Sequence, residues 1–255
     1  MVEPKLIELL STSETNDYLS RLFSIRHEWR SWTDGDINMP YYVMGATSYA
    51  DARENKAIYY KIKNYYNKIL LENFSDLYQK ILKELNNYIG PSELESSLAY
   101  PGFHIMGDGA EESKLVTMNF PDNYIHKRHR DHIYNYHLDV LNDKYSEVDV
   151  RDNLSFTLSL RLPRNGSGLS IWSDGLLGHL GLDSQFELDI KNNGFYKDRD
   201  VPEPEVVPYK VGSMFLFSGN FYHQVAPLYE CYSDDMRITL QGHAVLCDNI
   251  WRWYF

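Results

Sequence analysis

Asn153-Leu154-Ser155-Phe156-Thr157-Leu158-Ser159-Leu160-Arg161-Leu162 alternates strictly between apolar and polar side chains after its first residue. Residues two apart on an extended chain share a face. Leu154, Phe156, Leu158, Leu160 and Leu162 therefore form one apolar row, and Ser155, Thr157, Ser159 and Arg161 form a polar one. This is the pattern of a β-strand with one face on a hydrophobic core. The polar row faces either solvent or a cavity. Turn-forming residues, Pro163-Arg164-Asn165-Gly166-Ser167-Gly168, close the strand.

Working outward, the chain from about residue 98 onward is a series of short segments rich in β-branched and aromatic residues, separated by Gly, Pro, Asn and Asp. Candidate strands cover 102–106, 114–119, 169–172, 206–209, 213–218, 222–226 and 237–246. A loop-rich stretch, 173–204, interrupts them. Many short strands at close spacing predict a jelly-roll sandwich or barrel. Upstream the period changes. Tyr18, Leu22, Ile25 and Trp29 recur at helical spacing, as do Tyr59, Ile62, Tyr66 and Ile69, then Leu77, Ile81 and Leu85. A break is expected near 73–75, and Gly90-Pro91 ends the helical region. The expected fold class is α+β with a mainly β core. Residues 1–97 form a mostly helical region packed on a β core of residues 98–255, the whole being one structural unit.

Composition narrows the function classes. The 255 residues carry 36 acidic and 25 basic side chains, a formal net charge of -11. Binding nucleic acid by neutralising phosphates is disfavoured by that sign. Two cysteines, Cys231 and Cys247, are too few for a disulfide framework and fit a reducing compartment. No signal-peptide pattern opens the chain, and no apolar run reaches the roughly 20 residues of a membrane span. The expectation is a cytoplasmic protein with no nucleic-acid or membrane partner.

Candidate chemistry begins at Tyr134-Asn135-Tyr136-His137-Leu138-Asp139-Val140. Its aromatic and β-branched content, without Gly or Pro, predicts a strand. On a strand, His137 and Asp139 share a face and offer one nitrogen and one oxygen to a divalent metal. A third ligand from a distant strand would complete the 2-His-1-carboxylate triangle that suits non-haem Fe(II). His223, at the start of a late strand, is the candidate. Fourteen residues on, Arg237 opens an apolar strand and Thr239 shares its face. A guanidinium in a β core needs an anion, and its planar fork matches a carboxylate. A second triplet, His129-Arg130-Asp131, lies in the hydrophilic run 126–132, which reads as a surface loop able to bind metal only adventitiously.

His137-x-Asp139, His223 and Arg237-x-Thr239, in that order, resemble the motif of Fe(II)- and 2-oxoglutarate-dependent oxygenases over about residues 100–245. The resemblance implies a double-stranded β-helix, cupin-like in form, in which His137, Asp139 and His223 hold iron. It implies that Arg237 and Thr239 grip the distal carboxylate of 2-oxoglutarate, with O2 as co-oxidant. The stretches 100–105 and 156–163 further resemble bacterial members that modify amino acids or small peptidic metabolites. A carboxylate at Asp139 implies hydroxylation, desaturation or cyclisation rather than halogenation. His104, Trp172, Thr157 and Arg161 are the candidate substrate-pocket residues. The aromatic terminus Trp251-Arg252-Trp253-Tyr254-Phe255 either docks on the chain's own body or joins a subunit contact, so a homodimer is one expectation. The rival class is a cupin-like protein that binds a metal or small acid without turnover. It would not need Arg237-x-Thr239.

Overall fold

The structure is a computed structural model, describing residues 3–31, 40–107, 129–172, 204–226, 232 and 234–255. The expected strand at 114–119, most of the 173–204 loop and His126 lie outside them.

The chain opens with β1 (Lys5–Glu8) and α1 (Thr12–Ser24). Ser11 and Glu14 start α1 with a reciprocal capping box: each side chain bonds the other residue's backbone N–H. β2 (Arg30–Ser31) and β3 (Tyr41–Met44) lead through a turn of π-helix at Ser48–Ala52 to α2 (Lys56–Ile89). Asn55 caps α2 by accepting from Ala57 N and Ile58 N. The expected break falls at Phe74, whose φ of -136° leaves the helical range. Gly90, at φ +94°, ends the helix in a conformation that L side chains rarely adopt.

Next come β4 (Ser92–Leu94) and β5 (Gly102–Met106), a 3-10 turn at His132–Tyr136, and the short α3 (Leu138–Lys144). The remainder is β6 (Val148–Arg161), β7 (Leu169–Trp172), β8 (Glu205–Val207), β9 (Ser213–Ser218), β10 (Tyr222–Val225), β11 (Arg237–Cys247) and β12 (Ile250–Tyr254).

Among the described residues, nine strands form the large sheet. Its order is β1-β9-β6-β11-β5-β3-β2, with β12 joining β11 to β4. Every pairing in it is antiparallel except β12 with β4. The small sheet is β10-β7-β8. The first 97 residues thus do more than buttress the core: β1, β2, β3 and β4 are strands of the large sheet itself.

The alternation in β6 sorts the interior into two compartments. Leu154, Phe156, Leu158 and Leu160 pack with Leu70, Phe74, Leu77, Ile81 and Leu85 of α2 and with Leu22 of α1. Fully burying side chains of this size contributes roughly 1.5–3 kcal/mol each. The opposite row, Ser155, Thr157 and Ser159, is also buried, but it faces the space toward the small sheet. β11 repeats the arrangement. Ile238, Leu240 and Ala244 join the helix-backed core, and Arg237, Thr239 and His243 are the buried polar row. Two antiparallel sheets with a polar cavity between them and helices behind the larger one form the expected double-stranded β-helix. The aromatic terminus docks on the chain's own body, with Trp253, Tyr254 and Phe255 buried. No helix among the described residues is long and apolar enough to cross a membrane.

Candidate metal centre

The strand expected over 134–140 is not formed. Residues 132–136 make the 3-10 turn, and α3 starts at Leu138. His137 and Asp139 consequently do not share a face. His137 is buried between Tyr59 and Tyr254, with Nε2 2.7 Å from Ser48 Oγ. Asp139 turns outward to Lys56 Nζ at 2.7 Å, its side chain 60% exposed. Neither approaches His223. The sequence reading was wrong here because aromatic and β-branched residues suit any half-buried surface, and tertiary packing decided between strand and helix.

The triplet set aside as a surface loop occupies the site instead. His129 pairs with His223 through two backbone bonds, His129 N to His223 O at 3.1 Å and His223 N to His129 O at 3.0 Å. Two residues on, Asp131 N donates to Gly219 O at 2.8 Å. His129 and Asp131, on one face of this extended segment, therefore meet His223 at the start of β10. Asp131 Oδ2 is 3.4 Å from His223 Nε2, and Asp131 Oδ1 is 3.6 Å from His129 Nε2. One ligand atom from each of the three residues lies within 4.8 Å of the other two. Gly219 permits the close approach. A Cβ there would come within 2.7 Å of Asn153 Nδ2 and 3.0 Å of Asp131 Cβ.

The donor set fits a divalent metal. His223 Nδ1 lies 2.9 Å from Phe221 O. A carbonyl can only accept, so Nδ1 carries the hydrogen and Nε2 keeps its lone pair for a metal. Burial pushes the His223 pKa down to about 4, against the pull of Asp131, so the ring is neutral at neutral pH. Burial opposes ionisation of Asp131, but the positive charge that His223, His243 and His129 can take up in acid outweighs it and holds the carboxyl well below the usual range. One carboxylate oxygen and two imidazole nitrogens are the set that suits Fe(II).

These residues open on a cavity of about 480 Å³, also lined by Arg237, His104, Thr157, Tyr209 and Gln241. Arg237 is 2% exposed, and among the described residues its Nε and Nη2 have no hydrogen-bond partner. Its hydrogen bond from Nη1 to Thr239 Oγ1 is long at 3.4 Å. Gln241 Nε2 also points at Thr239 Oγ1, at 3.3 Å, which leaves the threonine hydroxyl hydrogen to donate elsewhere. Burial pulls the Arg237 pKa down, partly opposed by Tyr209. A buried cation with unmet donors calls for an anion in the cavity. Both His104 nitrogens are engaged, Nδ1 by the Tyr41 hydroxyl and Nε2 by the Tyr49 hydroxyl at 3.3 Å. Of the other expected pocket residues, Arg161 bonds Asp234 O at 3.0 Å and Trp172 is buried at the end of β7. Neither lines the cavity among the described residues.

No protein-family model and no curated protein matches the chain. Solved structures do. A crystal structure of an N-substituted L-amino acid dioxygenase from Burkholderia ambifaria is similar over 99% of this chain and 86% of that one, at 12% identity and a TM-score of 0.58. The same enzyme with α-ketoglutarate is similar over the same shares at 12% identity and a TM-score of 0.53. HygX from Streptomyces hygroscopicus, with nickel, 2-oxoglutarate and hygromycin B bound, is similar over 95% of this chain and 82% of that one, at 11% identity and a TM-score of 0.50. At such identities the likeness establishes the shared fold, a double-stranded β-helix.

Proposed function

We propose that the protein is an Fe(II)- and 2-oxoglutarate-dependent oxygenase whose metal ligands are His129, Asp131 and His223. The observation that carries this reading is the placement of a buried, anion-seeking Arg237 in the same cavity as a His-Asp-His triangle. A metal-binding protein without turnover has use for the triangle alone. Among the described residues no carboxylate pairs with Arg237, and a bound acid accounts for it. Its fork and the Thr239 hydroxyl take the distal carboxylate of 2-oxoglutarate, which points the 2-oxo acid end toward the metal ligands.

When bound, iron with 2-oxoglutarate and O2 supplies oxidation of an unactivated C–H bond: substrate, O2 and 2-oxoglutarate give hydroxylated substrate, succinate and CO2. The chain's own residues bind and orient. His129, Asp131 and His223 would hold the metal, and a metal held by three protein ligands would have positions left for cosubstrate and O2. Asp131 would supply a carboxylate ligand where a halogenating site has none, which favours hydroxylation.

The finer reading is an amino acid or small peptidic metabolite as substrate. The resemblance of residues 100–105 and 156–163 to members that modify such compounds supports it, and the cavity volume lies within the ordinary range for small ligands. The test is anaerobic titration of Fe(II) and 2-oxoglutarate, followed by succinate measurement on admitting O2 with a panel of amino acids and peptides. Succinate that requires both iron and substrate is expected. Metal binding without 2-oxoglutarate binding would favour the non-catalytic binder.

A further inference from the structure

Asp131 is held by more than its backbone. Asn153 Nδ2 donates to its carbonyl, and its own N–H is fixed on Gly219. What remains free is rotation of the carboxylate, and two residues of the large sheet address it. Ser155 on β6 and His243 on β11 are direct cross-strand partners. Ser155 Oγ lies 2.6 Å from Asp131 Oδ2 and 3.0 Å from His243 Nδ1. His243 Nδ1 is itself 3.5 Å from Asp131 Oδ2. All three residues are buried.

The hydrogens can be counted. A metal-ligating carboxylate is deprotonated and can only accept. The single hydroxyl hydrogen of Ser155 is therefore spent on Asp131 Oδ2. At the second contact Ser155 must accept, so His243 Nδ1 carries the hydrogen. The chain of bonds has one direction, from His243 Nδ1–H to Ser155 Oγ–H to Asp131 Oδ2. It ends on one carboxylate oxygen and leaves Oδ1, the oxygen nearer His129, without that restraint.

We propose that Ser155 and His243 are positioning residues that fix Asp131 as a one-oxygen metal ligand. The proposal rests on the assignment of His129, Asp131 and His223 as the metal site. Its chemical consequence is to keep open a coordination position that a two-oxygen carboxylate would fill, and the cosubstrate and O2 together need all the positions opposite the protein face. Neither residue touches the metal or the substrate in this role.

The experiment uses Co(II), whose visible absorption reports coordination geometry, titrated into the whole protein without 2-oxoglutarate. Ser155→Ala and His243→Leu should each bind Co(II) about 10- to 100-fold more weakly than wild type, the range for removing a partner of a metal ligand. Their spectra should shift as Asp131 turns to offer both oxygens. His243→Asn puts an amide N–H near the lost Nδ1–H and should recover the wild-type spectrum. His243→Gln places its amide further out and should not. Equal affinity and spectrum in wild type and folded Ser155→Ala would overturn the relay while leaving the metal site intact. Equivalent behaviour of the Asn and Gln variants would overturn it as well. A wild-type protein that binds no Co(II) would overturn the metal assignment and the relay together.

Discussion

Arg237→Met should have opposite effects on the empty and the ligand-bound protein. In the empty protein, Arg237 is a desolvated cation whose Nε and Nη2 lack partners among the described residues. Replacing a buried, unpaired charge by an apolar side chain of similar volume removes its desolvation cost. The variant is therefore expected to melt higher than wild type without 2-oxoglutarate. With Fe(II) and saturating 2-oxoglutarate the order should reverse. Removing one partner of a buried, charge-assisted contact costs roughly 2–5 kcal/mol, which at 1.4 kcal/mol per decade is on the order of 30- to 4000-fold in cosubstrate affinity. At a ligand concentration of 100 Kd, wild type gains about 2.7 kcal/mol of stability from binding. At that same concentration a variant weakened 1000-fold gains less than about 0.1 kcal/mol by the same relation. Arg237→Lys keeps the charge but not the fork and should fall between them. The assay is anaerobic thermal denaturation of both proteins with Fe(II), with and without 2-oxoglutarate. A Met variant that melts below wild type when empty, yet is stabilised equally by 2-oxoglutarate, would refute the assignment of Arg237 as an anion site awaiting its carboxylate.

Three further outcomes follow from the geometry. Asp139→Ala should leave metal affinity and turnover unchanged and cost no more than about 1 kcal/mol, since it breaks an exposed ion pair with Lys56, whereas Asp131→Ala should abolish Fe(II) binding; isothermal titration of both separates the two His-x-Asp triplets. Burial pushes the His137 pKa down to about 4 from an unfolded value near 6.5, so the unfolded chain binds the extra proton first, and stability should fall with pH between about 6.5 and 4 by roughly 3 kcal/mol; urea melts across that window should show a slope that His137→Gln flattens. Gly219→Ala drives a Cβ against Asn153 and Asp131 and should cost about 1–3 kcal/mol along with weaker metal binding, checked by chemical denaturation and Co(II) titration.

The sheet was readable because its signal is local. Leu154 to Leu160 alternate in a single strand, and Arg237-x-Thr239 shows a charge where the flanking residues are apolar. Each fact sits within a few residues and follows from period two. The helix break near Phe74 was visible for the same reason, in a lapse of the apolar stripe. The metal ligands were only partly readable. His223 stood out on an apolar strand, but the choice between His129-x-Asp131 and His137-x-Asp139 turned on burial that neither triplet displays. A run of charged and histidine residues reads as surface by composition. Here, backbone bonds to His223 and Gly219 fold that run over the cavity, and Asp131 ends 5% exposed. The Tyr-rich stretch read as a strand bearing ligands; it forms a turn and a helix instead, and His137 is buried among aromatic rings. Ser155 and His243 carried no signal as partners of Asp131, because their juxtaposition depends on the register of β6 against β11, which the order of residues along the chain does not reveal.

That register has an evolutionary consequence. On both strands, one parity of residue number meets the helices and the other meets the cavity. Leu154, Phe156, Leu158, Ile238 and Leu240 can vary among apolar side chains under selection for stability. Ser155, Thr157, Arg237, Gln241 and His243 can vary under selection for chemistry. Point substitutions at either parity explore one property without forfeiting the other. Insertion or deletion of a single residue within β6 or β11 exchanges the two parities downstream. It would press guanidinium and imidazole into the helix-backed core and turn leucines toward the metal ligands. Lineages descended from this chain should therefore diversify these strands by substitution and confine changes of length to the loops between them.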